Sequence, residues 1–536
     1  MTLAGLGGTD PTFWKPAICF FETRVDVYTS IVTWKSVPSL RVRDFGQLRM
    51  HQMLFHNGSS TFSLRIAFAL ALGGSVTGCT VGPKYQRPAV NLQPFHNAPS
   101  IKARTSVLPA PPLDQWWTGF HDAELTRIVQ RALAQNLDLA AAMTRVQQAR
   151  AAARGAGAQR LPSGNLSAST TTLYQSTEST TGRLASHLPG YSRQQNYYDL
   201  GFMASWETDL FGGLKKGAEA ATAEAQAAEA SRTGTRITVA AEAADAYTQI
   251  RAAEARLNFA KEQIATDNHL VELVQQRRDA GVASDRELAQ AQAVLSQAKA
   301  TIPLLTVSLE AQLNRLDVLM GAQPGTYAAE LTPVADIPEA PEISGFGTPA
   351  DLLRRRPDII AAERTIAASN ARIGEALSDY YPKLSLSGIV GSEALAPAHL
   401  FEEQGFQPVS VVGLRWRLFD FGRVAAEVQA ARGANAEALL QYRSSVLHAG
   451  EDVEDAFSLL VQSENRRNEI VREIGELQRV RDRSQESYAA GVIPLTDVLD
   501  ADRQLLVAKD DLAVARESAA RAAIGSYRAL GGGWLP

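Results

Sequence analysis

Asp497 and Asp500 are the side chains whose type and spacing come nearest to a working site. They follow a glycine turn in the stretch Tyr488-Ala-Ala-Gly491-Val-Ile-Pro-Leu-Thr-Asp497-Val-Leu-Asp500. Three positions apart in a helix, both carboxylates lie on one face. Copied around a rotation axis, each becomes a ring of acids, the arrangement that favours cations in a pore. Carboxylates held close together resist simultaneous ionisation, so such a ring titrates as a coupled group with at least one raised pKa. No catalytic constellation accompanies them. The eight histidines are scattered, and no His-Glu-x-x-His pair, phosphate-cradling glycine loop or nucleophile elbow is present. The expectation is a non-enzyme with no metal and no cofactor.

The second chemical feature is Cys79. Residues 65–79, Arg-Ile-Ala-Phe-Ala-Leu-Ala-Leu-Gly-Gly-Ser-Val-Thr-Gly-Cys, run from a cation through an apolar stretch to small residues. That is a secretory signal, too short to span ~30 Å of hydrocarbon. Its end, Val76-Thr77-Gly78-Cys79, resembles a bacterial lipobox, which would make Cys79 the lipidated first residue of the mature protein. Met50 or Met53 would give a signal of ordinary length, so residues 1–49 read as an over-extended start without function, 50–78 as signal peptide and 79–120 as a lipidated, extended N-terminal segment. The only other cysteine is Cys19, which leaves no disulfide framework. At 536 residues and a net charge of −4, the chain is not a nucleic-acid binder.

The elements that must position these residues occur twice. Trp206–Gly212 (W-E-T-D-L-F-G) returns as Trp416–Gly422 (W-R-L-F-D-F-G), and the same offset of 210 carries Tyr247 onto Phe457, Gly281-Val282 onto Gly491-Val492 and Gly321 onto Gly531. Upstream the offset is 220, with Asn136-Leu137-Asp138 opposite Arg356-Pro357-Asp358 and Leu161-Pro162 opposite Tyr381-Pro382. The difference falls in the Ser/Thr/Gly-rich stretch around Thr177–Ser192, as expected of a surface loop. A repeat this long is one duplicated half rather than a solenoid unit of about 20 to 50 residues. The division expected is 121–321, a connector at 322–349, and 350–536.

Each half holds a hairpin, about 163–208 and about 384–419. Leu166, Ala168, Thr170 and Tyr174 alternate with polar residues, as do Tyr198, Leu200, Phe202 and Trp206, Leu384, Leu386 and Val390, and Val412, Leu414, Trp416 and Leu418. Strands of about ten residues are long enough to cross a bilayer when tilted. The rest reads as helix. Two stretches, 212–281 and 422–491, are rich in Ala, Glu, Gln and Arg without a proline and reach roughly 100 Å if helical. Shorter helical runs are expected at 124–159, 284–319, 350–378 and 494–530, with a Pro-rich mid-height connector at 324–349. The turns at Gly281 and Gly491 call for a residue with φ > 0.

Four strands cannot close a barrel, and an open sheet edge in hydrocarbon costs several kcal/mol per unpaired group. Three copies would supply twelve strands around an aqueous lumen, whereas two would supply eight, whose interior side chains fill. The fold expected is mainly α with a small β part: a duplicated half giving long coiled-coil helices and four transmembrane strands per chain.

The lipobox followed by Gly82-Pro83-Lys84-Tyr85, Trp116-Trp117, Asn136-Leu137-Asp138-Leu139, Arg355-Arg356-Pro357-Asp358-Ile359 with Glu363, and Tyr381-Pro382 resemble the TolC-type outer membrane factors. More narrowly they are similar to the NodT-like lipoprotein branch that serves resistance-nodulation-division (RND) efflux pumps. The resemblance implies a homotrimer with a twelve-stranded outer-membrane barrel continuous with an α-helical periplasmic tunnel, an equatorial belt built from the connector and the C-terminal region, and delivery of substrate by a periplasmic adaptor and an inner-membrane RND transporter. It further implies a periplasmic gate at Tyr488, Asp497 and Asp500, with Glu287 where some relatives have aspartate and Ile493 where some have arginine. Gly281, Val282, Gly491 and Val492 match the turns that meet the adaptor. Thr80, which is not aspartate, fits sorting of the lipoprotein to the outer membrane. The rival readings are a type I protein-secretion channel of the same fold and a soluble periplasmic coiled-coil scaffold.

Overall fold

The computed structural model describes residues 80–534 apart from 91, 105–107, 332–334 and 344–346; Cys79 and the signal lie outside the described residues. In the first half, α1 (Ala123–Gln135) and α2 (Leu137–Ala158) lead into strands β1 (Ser163–Tyr174) and β2 (Gln194–Thr208), then α3 (Gly213–Asp279) and α4 (Asp285–Leu319). The second half repeats the order with α5 (Pro349–Arg355), α6 (Pro357–Ser378), β3 (Lys383–Ala394), β4 (Val409–Arg415), α7 (Arg423–Ala489) and α8 (Leu495–Ala529).

The duplication holds to the residue. Helices α3 and α7 each contain 67 residues, about 100 Å at 1.5 Å per residue, and α4 and α8 each contain 35. Two expected continuous helices are instead divided, both at equivalent positions. Asn136 turns out of the helix and its side chain accepts from the Leu139 amide at 2.9 Å. Arg356 is extended, with Pro357 opening the next helix. A proline cannot donate an interior helical bond but fits the first helical turn.

The strands form one antiparallel sheet in the order β1-β2-β3-β4. Register aligns Leu166 with Phe202 and Val390, and Trp206 with Leu386 and Val412. One face is therefore a continuous apolar surface, on which Leu166, Val412 and Leu414 are all exposed. The opposite face is mostly small and polar, with rows such as Ser167, Gly201 and Gly391. β4 ends at Arg415, so Trp416 and Leu418 fall beyond the sheet. Trp416 Nε1 instead donates to the Tyr380 carbonyl at 3.0 Å, as Trp206 Nε1 does to Arg160 at 2.9 Å. These partners obey both sequence offsets at once.

The core sits around the middle of the helices. Tyr247 and its repeat counterpart Phe457 are both fully buried, with Trp116 stacked on Tyr527 at 5.4 Å. Arg251 is buried among them, paired with Glu124 at 3.0 Å and Glu254 at 2.8 Å. The N-terminal segment is fastened along this body: Phe95 packs on Phe457, and Arg104 makes a two-pronged contact with Glu464 at 2.7 Å. Motif residues explain themselves here. Arg356 binds Asp358 at 2.7 Å, Asp452 at 2.8 Å and the Ala529 carbonyl at 3.2 Å, tying α6 to α7 and to the end of α8. Glu363 accepts a hydrogen bond from Tyr85 of the N-terminal segment.

Candidate functional site at the helix turns

The long helices end in two turns of one backbone design. Gly281 and Gly491 have φ of 74° and 75°, a region costly for any residue with a Cβ. In turn one the amides of Gly281 and Val282 donate to the carbonyls of Arg278 and Arg277; in turn two those of Gly491 and Val492 donate to Tyr488 and Ser487. Val282 and Val492 stand out from the tips at 66% and 75% exposure.

Side chains differ where the backbone does not. Ser284 caps α4 and accepts from the Glu287 amide at 3.3 Å, while the Glu287 carboxylate accepts from the Ser284 amide at 2.7 Å. This reciprocal capping box holds the Glu287 carboxyl below its usual range, chiefly through the Ser284 backbone bond. The equivalent of Ser284 is Pro494, which makes no side-chain cap. Asp497, the equivalent of Glu287, is left exposed with only a 3.4 Å approach from Thr496.

Between the α3/α4 and α7/α8 hairpins lies a cavity of about 600 Å³. Of the residues singled out by sequence, Glu287, Val282, Tyr488, Gly491, Ile493 and Asp500 line it; Asp497, Gly281 and Val492 do not. Tyr488 accepts a hydrogen bond from Arg277 Nη1 at 2.7 Å, a direct link from α7 to α3. Asp500 is held by Arg503 at 2.8 Å and Gln504 at 2.6 Å. Those partners keep its carboxyl below the ordinary value in the single chain. Among the acids lining the cavity the one pushed upward is Asp267, through burial and the nearby Asp502 charge.

Sequence reading passed over Arg277, Arg503 and Asp267. The repeat gives no sign of Arg277, whose counterpart is Ser487. Asp267 did carry a signal: with Leu270 and Val274 it falls at helical spacing, an acid on an apolar stripe. Among the described residues no cluster of His, Cys, Asp or Glu has metal-holding geometry. The arrangement offers hydrogen-bonded links between hairpins and fixed charge at their tips.

A sheet with one apolar face, continuous with duplicated helices of about 100 Å, defines a tubular membrane channel. The chain belongs to the outer membrane efflux protein family, whose pattern it matches over residues 128–322 and 348–532. It is 32% identical to the pyoverdine export outer membrane protein OpmQ of Pseudomonas aeruginosa, over 78% of this chain and 87% of that one. It is 29% identical to nodulation protein T of Rhizobium leguminosarum bv. trifolii, over 86% and 96%. The solved outer-membrane channel OprN superposes with a TM-score of 0.77 at 32% identity, over 85% of this chain and all of that one. The protein is thus an outer membrane efflux channel, of a family of channels and not enzymes.

Proposed function

We propose that three copies of this chain form the exit duct of a tripartite efflux system, fed by a periplasmic adaptor and an inner-membrane RND transporter and gated at the helix turns. The observation that carries the assembly is the sheet: among the described residues β1 and β4 each pair on one side only, and the exposed apolar face requires hydrocarbon while open edges forbid it. Threefold closure satisfies both. Light scattering of the detergent-extracted protein should give a trimer; a monomer or dimer as the stable conducting species overturns this reading.

Three further observations support the finer assignments. Val81 donates to the Phe211 carbonyl at 3.0 Å, fixing the chain two residues from Cys79 beside the junction of sheet and helix, the level of the membrane boundary. An acyl chain on Cys79 would enter the bilayer there, and intact-mass analysis should show it. The bare glycine turns with their exposed valines suit contact with an adaptor. The Arg277–Tyr488 bond is one of the links between the two hairpins, with Arg256–Asp510 and Arg521–Asp245 farther along α3 and α8, so its loss loosens them at the tips. Gating then consists of separating these hairpins, with Asp497 and Asp500 as the fixed charge of the aperture and Glu287 holding the first turn in shape.

A further inference from the structure

Asp267 is only 7% exposed, it lines the cavity between the hairpins, and its Oδ2 has no hydrogen-bond partner among the described residues. A buried carboxylate without a partner is costly. The cavity's other charged groups are satisfied locally. On α3, Arg277 donates to Tyr488 of α7; on α8, Arg503 donates to Asp500; on α4, Glu287 is closed on Ser284. Asp502 of α8, the remaining acid near Asp267, is paired with Arg481 of α7 at 2.9 Å. Among the described residues no cation is paired with Asp267, and the charge that acts on it most directly is that of Asp502. Leu270, Val274, Ala291 and Leu499 give the same cavity apolar walls, and its volume of about 600 Å³ falls in the range that holds small organic molecules.

We propose that this cavity is a binding site for a small organic monocation, an ammonium group carried on an apolar or aromatic body, with the ammonium at the Asp267 carboxylate and the body against Leu270, Val274 and Leu499. The site is formed within one chain, between its two hairpins; Asp500, already paired with Arg503, stands on its wall, and Asp497 lies outside it. Its existence does not depend on the gating reading. Its consequence does: an occupant braces the α3/α4 hairpin against the α7/α8 hairpin beside the Arg277–Tyr488 bond, so a bound cation would shift the equilibrium between closed and open tips by its differential affinity for them.

Because burial and Asp502 push the Asp267 carboxyl upward, cation affinity should rise with pH as that group ionises. The test is fluorescence polarisation of 9-aminoacridine, a cation throughout the range from pH 5 to 8, with the detergent-solubilised full-length protein. Acridine, uncharged at pH 8, is the matched neutral probe, and protein-free micelles are the blank. Saturable binding at pH 8 is expected, falling at least ~10-fold with acridine and with Asp267→Asn, weakening as pH is lowered toward 5, and staying within ~2-fold in Glu451→Gln, which removes an exposed acid that does not line the cavity. Each variant is first matched to wild type by elution volume. No saturable signal above micelles, equal binding of acridine and 9-aminoacridine, or full binding by Asp267→Asn would each overturn the proposal. The two-probe comparison on wild type decides it even if the variant does not fold.

Discussion

The two turns share a backbone and differ in what their side chains do with it. Turn one closes its helix start with Ser284 and Glu287, so its acid is consumed by structure. Turn two begins its helix with Pro494, and Asp497 remains unclaimed. Duplication thus kept the geometry that the fold needs and let the charge diverge. An acid that caps a helix is a fastener, whereas the same register position without a capping partner is free to face an ion or another chain. The Arg277–Tyr488 bond crosses between hairpins because neither residue is repeated: Ser487 stands opposite Arg277, and Arg278 opposite Tyr488.

The largest expected effect tests the shared part. At both glycines a Cβ would meet nothing within 4 Å, so alanine there carries only the cost of a left-handed φ, ~1 to 2 kcal/mol. Gly281→Ala and Gly491→Ala should therefore lower the local opening free energy of the tip amides by similar amounts in hydrogen exchange. Markedly unequal losses would show that the turns are not equivalent. Gly281→Asn, which tolerates this region better, should recover part of the loss.

The next effect tests the divergence. Ser284→Ala removes the cap of α4 and should cost about 1 kcal/mol locally. Pro494→Ser writes Ser-x-x-Asp across the start of α8, a sequence able to form the same box with Asp497, and should stabilise that start by a similar or smaller amount. Acid distinguishes the turns further. Glu287 is held below its unfolded value by the Ser284 bonds, so its stabilisation is complete above the unfolded carboxylate pKa of about 4.3 and is lost as pH falls through the lower folded value. Protection of the first turn of α4, corrected for intrinsic exchange, should fall between pH 5 and 3 in wild type. In Ser284→Ala that fall should be diminished.

Much of this was legible because the fold is periodic. Long helices without proline, alternating strands and glycines repeated at one offset fix lengths and ends, and the helices match them closely. The breaks at Asn136 and Arg356 were visible as residues yet read as helix interior, since apolar spacing continues across them; only the cap and the proline interrupt it. Trp416 and Leu418 keep strand alternation past the point where pairing stops, a matter of partner length that no single strand encodes. Arg277 and Asp267 escaped for a different reason. Their significance is relational, arising where α3 meets α7 and α8, and repeat comparison discards residues that differ between halves. The Arg-Pro-Asp motif was readable as a family mark, while its work of joining three helices appears only in the contacts of Arg356.

The smallest effect on stability is expected where the effect on conduction is clearest. Asp497 is exposed and Asp500 forms short-range pairs on its own helix, so Asp497→Ala with Asp500→Ala should leave folding within about 0.5 kcal/mol per site. If turn two carries the aperture's charge, wild-type channels in planar bilayers should be cation-selective at neutral pH and lose that preference as the carboxylates protonate. The double variant should lose it at every pH. Glu287→Ala supplies the contrast, since it removes an acid at the equivalent position of turn one and should change selectivity far less. Tyr488→Phe keeps every carboxylate but deletes the acceptor for Arg277, so it should raise the open fraction without altering ion preference. Pro494→Ser should resemble Asp497→Ala in selectivity while being the more stable of the two, because the carboxylate is then drawn back into a cap. Equal loss of selectivity in Glu287→Ala and Asp497→Ala would mean that the capping box does not withdraw its acid from the pore, and the division of labour between the turns would fall.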